Sequence, residues 1–118
     1  PKFPDGEFTP ELYNYIKNAL YTEAFTHLYG YYNDDAISIT VEYENGLSYI
    51  VIHNDLTGFS YTYTNSQNKE DETQVDIGGS TISKKYVCDN KTTILNIIVM
   101  FLTTGEPCNQ YEWLELKE

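Results

Sequence analysis

The spacing of hydrophobic residues changes several times along this chain, and each change marks an element. Thr9-Pro10-Glu11 has the order of a helix start, with a hydroxyl at the N-cap, proline at the first helical position and an acid in the first turn. Leu12, Tyr15, Ile16, Ala19, Leu20 and Tyr21 then recur at helical spacing. A first helix is therefore expected over about residues 10–25, with one face on a sheet. Segment 26–35 (THLYGYYNDD) holds a glycine, ends in acids and reads as a loop. The clearest hairpin follows: AISITVEY and GLSYIVIH flank a turn at Asn45-Gly46, which supplies the two positive-φ positions of type I′. A two-residue turn sets the register, with Glu44 opposite Leu47, Val41 opposite Ile50 and Ile39 opposite Ile52. Ile37, Ile39, Val41, Ile50 and Ile52 then share the core face. Thr40, Glu42, Tyr49 and Val51 share a mixed second face, partly wet or covered by a partner.

Beyond a turn at residues 54–58, FSYTYT alternates as a strand, with Phe59, Tyr61 and Tyr63 on one side. Residues 65–76 are polar and read as a long solvated connection; a further strand is expected near 79–87. Asp89 or Asn90 caps a second helix whose Ile94, Leu95, Ile97, Ile98, Val99, Met100, Phe101 and Leu102 are apolar nearly all round, so it must be buried on more than one side. Gly105 stops it, Pro107 prevents continuation, and Tyr111–Leu116 forms a last strand. The order α-β-β-β-β-α-β predicts an α+β fold, a mostly antiparallel sheet of about five strands with two helices, as a single domain over residues 1–118.

Charge narrows the partners. Eighteen acidic residues face seven lysines and no arginine, a net charge of −11. A nucleic-acid backbone and an anionic membrane would both be repelled, whereas a cationic protein would be attracted. The longest apolar run is far shorter than a membrane span, and no basic segment followed by an apolar one opens the chain, so a cytoplasmic protein is expected. Cys88 and Cys108 lack metal-ligand spacing and are expected to be reduced thiols, though one bridge is possible.

No catalytic set emerges. His27 and His53 each lack a second ligand or base at useful spacing, Cys108 has no neighbouring base, and phosphate, dinucleotide, zinc and calcium motifs are absent. Neither an enzyme, a metal nor a cofactor is expected. Tyrosine is the unusual feature, at twelve of 118 residues. Its ring buries large area at little entropic cost while its tip stays polar, which suits a binding surface. Acids interleave with tyrosines around residues 29–35 and again around Glu42, Tyr49, Tyr61, Tyr63 and the 70–72 acids.

The stretch FLTTGEPCNQYEWLE, with Phe101, Thr104-Gly105-Glu106 and Glu112-Trp113 after an apolar helix, resembles immunity family one of bacterial polymorphic-toxin and contact-dependent growth inhibition systems. The ENGLSYIVI hairpin fits the early strands of such proteins. The resemblance implies an immunity protein that binds a cognate basic toxin domain, a nuclease or deaminase, and blocks its active site. Gly105 and Trp113 read as scaffold, so binding is expected on the acidic, tyrosine-bearing surface at Asp34, Asp35, Glu42, Glu44, Tyr49, Glu70, Asp71 and Glu72. The competing reading is a small enzyme or ligand-binding protein with His53 or Cys108 in a pocket between sheet and helices.

Overall fold

The computed structural model describes residues 9–23, 27–32 and 36–117, together with the backbone of Lys2–Phe3. A six-stranded sheet carries two helices on one face. In chain order the elements are β1 (Lys2–Phe3), α1 (Pro10–Tyr21), β2 (His27–Tyr32), β3 (Ile37–Glu44), β4 (Leu47–Asn54), β5 (Phe59–Thr64), β6 (Gln74–Ile77), β7 (Ser80–Ser83), α2 (Lys91–Thr104) and β8 (Glu112–Lys117). Strands β2 to β5 form an antiparallel meander, β8 adds antiparallel to β5, and β1 adds parallel to β2. The α+β class, the two helices and the mostly antiparallel sheet are as expected.

The Asn45-Gly46 turn has φ of 52° and 79°, and the β3–β4 register is the expected one. Ile39, Val41, Ile50 and Ile52 are fully buried beneath the helices with Ile16, Leu20, Ile94, Ile97, Ile98 and Phe101. Thr9 caps α1 by accepting the Leu12 N–H at 3.1 Å, and Asn90 caps α2 by accepting that of Thr93 at 3.1 Å.

Three segments depart from the expected elements. The first helix ends at Tyr21 rather than near 25. Residues 27–32, expected as loop, form β2: Leu28 and Gly30 point to the core, while His27, Tyr29 and Tyr31 point away. Gly30 weakened the strand signal, yet the site needs it. A Cβ there would lie 3.1 Å from Ile39 Cγ2 and 3.5 Å from Leu102 Cδ2, where α2 crosses the sheet. Finally, the strand expected near 79–87 is replaced by the β6–β7 hairpin and a 3₁₀ turn over Lys84–Tyr86.

That turn fills a seam. β5 pairs with β4 only over residues 51–54, so the other end of β4 is left open. Cys88 occupies it, exchanging backbone hydrogen bonds with Ser48 at 2.8 and 2.9 Å. The buried Asn65 side chain donates to the Val87 carbonyl at 2.9 Å. Buried backbone groups that the sheet does not pair are satisfied this way.

Candidate functional site

The face of the sheet turned away from the helices is the candidate site. Strand register lays its side chains out in rows. One row runs Tyr29, Thr40, Val51, Thr62, Leu114; the next runs Tyr31, Ser38, His53, Ser60, Leu116. A third is His27, Glu42, Tyr49. Tyr29, Leu114 and Leu116 are exposed, unusual for large apolar groups on a sheet. A groove of about 370 Å³ lies between the rows, lined by Tyr49, Val51, His53 and Leu116 among others. Its floor is threonine and serine.

One end of this face is roofed by the β6–β7 hairpin. Gly78 N–H donates to Glu44 Oε1 at 3.0 Å, and a Cβ at Gly78 would lie 3.2 Å from Glu42 Cβ and 3.3 Å from His27 Nε2. His27 Nε2 stands 3.7 Å from Glu42 Oε1, and its ring stacks at 6.2 Å on that of Tyr29. Glu42 Oε2 is buried without a hydrogen-bond partner among the described residues.

The sequence-predicted residues therefore divide by role. Glu42 and Tyr49 are cross-strand neighbours at the groove, as their shared face required. Glu44 anchors the hairpin, so its carboxylate is engaged within the chain. Asp71 holds its own loop: hydrogen bonds from the Thr73 hydroxyl and then from the Thr73 N–H, at 2.9 Å, keep its pKa below the usual value. Glu72 pairs with Lys85 at 2.7 Å, and that hydrogen bond raises the lysine's pKa. Glu70 is exposed. Nearby, Lys69 reaches Glu112 of β8 at 3.0 Å, tying the loop to the edge of the sheet. Asp34 and Asp35 lie outside the described residues.

His53, weighed from the sequence only as a pocket residue, joins the face from β4, as do Tyr29 of β2 and Leu114 and Leu116 of β8, which no expectation had placed on it. Their signal was the alternation in β2 and β8, legible only once both segments are known to be strands of one sheet.

On the helix side, Cys88 and Cys108 are free and buried. Burial pushes the Cys88 thiol pKa up, partly opposed by a hydrogen bond from the Asn90 backbone. Tyr63, beside it, is pushed higher too, first by burial and then by Cys88. His53 lines the groove on the open face of the sheet, whereas Cys108 lines a separate recess beside α2. Among the described residues, no three His, Cys, Asp or Glu side chains gather as a metal would need, and no helix is long and apolar enough to cross a membrane. Compared with family models, curated proteins and solved structures, the chain matches none.

Proposed function

We propose that this is an immunity protein that binds a cognate bacterial toxin domain in the cytoplasm and neutralises it by covering the toxin's active site. The observation that carries the reading is a sheet face bearing exposed Tyr29, Leu114 and Leu116 around a groove, on a chain of net charge −11. Aromatic and aliphatic anchors of this kind supply binding energy, and surrounding acids speed encounter with a basic surface. A nuclease or deaminase presents such a surface because it must hold a polyanion, and an acidic inhibitor competes for it. The resemblance of residues 101–115 to immunity family one supports the same reading. Tyr49, on the groove, and the exposed Glu70 would meet a partner, while Glu44 shapes the face by holding the hairpin and Glu42 stands beside His27. An interface of standard size would bury about 1,600 Å² in total.

The test is co-expression with the toxin domain encoded by the adjoining reading frame. Growth is expected to be restored and the two chains to co-purify. A restored culture whose complex leaves the open sheet face fully accessible to solvent, by hydrogen exchange, would overturn the assignment of the face. Undiminished killing would overturn the function.

A further inference from the structure

A second recess lies on the opposite side of the sheet, between the β5–β8 edge and the loop that follows α2. It is a cleft of about 560 Å³, within the range of small-ligand sites. Three aromatic rings and two carboxylates line it: Tyr61, Tyr111 and Trp113, with Glu106 and Glu115. We propose that this cleft binds an organic cation, a guanidinium or alkylammonium group, held between the rings and the two carboxylates.

The rings are set in advance. The Trp113 indole N–H donates to the Cys108 carbonyl at 2.9 Å, and the Tyr111 hydroxyl accepts from Asn96 Nδ2 at 3.0 Å. Tyr63 packs edge-on against both, at 6.1 Å from Trp113 and 6.2 Å from Tyr111. These contacts fix the Trp113 and Tyr111 rings before any ligand arrives, so little of their side-chain order remains to be imposed on binding. Tyr61 and Glu115 are cross-strand partners, which places a carboxylate directly beside a ring on the cleft wall.

Charge selects the ligand class. No lysine lines the cleft, and none among the described residues forms an ion pair with Glu106 or Glu115. Lys117 lies two residues beyond Glu115 on the same strand face, opposite Phe59, and is not part of the lining. An anion would meet two carboxylates. A neutral apolar ligand would strip water from them without compensation. A soft cation satisfies both walls, since indole and phenol faces attract it through their quadrupoles and the carboxylates through charge and hydrogen bonds.

Trp113 is the only tryptophan, so its fluorescence reports on this cleft alone. The intact chain is titrated with methylguanidinium, tetramethylammonium and a capped tripeptide centred on arginine, each at constant ionic strength against sodium chloride. A saturable fluorescence change is expected, with a matching shift of the indole N–H resonance. Glu106→Gln and Glu115→Gln should each weaken binding about fivefold, while Glu11→Gln, on the exposed start of α1, leaves it unchanged. A preference of about tenfold or more for the tripeptide assigns the cation to a protein side chain; equal or tighter binding of the small ions assigns it to a free amine or guanidine. No saturable response to any of the three, a response that sodium chloride reproduces, or undiminished binding by the Glu106→Gln, Glu115→Gln double variant overturns the proposal. The cleft and the open sheet face are on opposite sides, so loss of toxin binding and loss of cation binding are separable results.

Discussion

Gly105 ends α2 directly against the ring of Tyr32, where a Cβ would lie 2.8 Å from Cε1 and nearer still to Cδ1. The residue also sits at φ 73°, a left-handed conformation that a side chain strains. Gly105→Ala is therefore expected to cost about 2–4 kcal/mol, from strain and overpacking together. Urea denaturation measures it. Because the overlap is with one ring, adding Tyr32→Ala should recover part of the loss, and the two effects should fail to add.

Asn65 ties the end of β5 to the segment before α2. It is buried, donates to the Val87 carbonyl and accepts the Gln67 N–H at 3.0 Å. Asn65→Ala leaves that carbonyl unpaired inside the protein and is expected to cost about 1–3 kcal/mol. Amide exchange should accelerate at Cys88 and Ser48, which the same segment pairs.

The β6–β7 hairpin is held to the main sheet at Glu44. Glu44→Ala removes the acceptor of the Gly78 N–H, so exchange at Gly78 and Ile77 should quicken while the core of β3 and β4 keeps its protection. Equal loss of protection in β3 would show that the hairpin and the sheet open as one unit.

Alkaline pH should destabilise the protein in a defined direction. Tyr63, Tyr43 and Cys88 all have pKa values raised in the folded chain, chiefly by burial. Their contribution is complete below the unfolded values, which are 10.0 for the tyrosines and 9.0 for the thiol, and is lost as pH rises past them, because only the unfolded chain then ionises. Tyr63→Phe should flatten the fall in stability above about pH 10. Both thiols should also resist aromatic disulfide reagents until the chain unfolds.

On the proposed toxin-binding face, Tyr49→Ala and Leu116→Ala should each weaken the complex by about 1–2 kcal/mol without changing the midpoint of unfolding by more than a few degrees. Glu70→Lys should act mainly on the association rate, and its effect should shrink as salt is raised. Titration calorimetry and stopped-flow mixing with the toxin domain separate the two patterns.

Much of the fold was legible because local chemistry dictated it. Thr9-Pro10, Asn90 and Gly105 bound the helices through backbone groups that only nearby residues can satisfy, and Asn45-Gly46 set a register that put every β-branched residue of β3 and β4 on its observed face. Where a strand owed its existence to distant neighbours, periodicity was silent. Residues 27–32 became β2 because β3 pairs with them and α2 needs the small Gly30 beneath it, and Cys88 was drawn to Ser48 because β5 leaves β4 after Thr62, although it runs on beside β8 to Thr64. The same division holds for the candidate site. Glu42 and Tyr49 were seen to share a face from alternation alone, but the identity of that face's other members, the engagement of Glu44 by Gly78 and the gathering of Tyr61, Tyr111 and Trp113 around one cleft depend on which strands lie side by side. The reason is physical: caps and turns are closed by residues within a few positions, whereas a sheet surface is assembled from segments whose adjacency is settled only by burying the core.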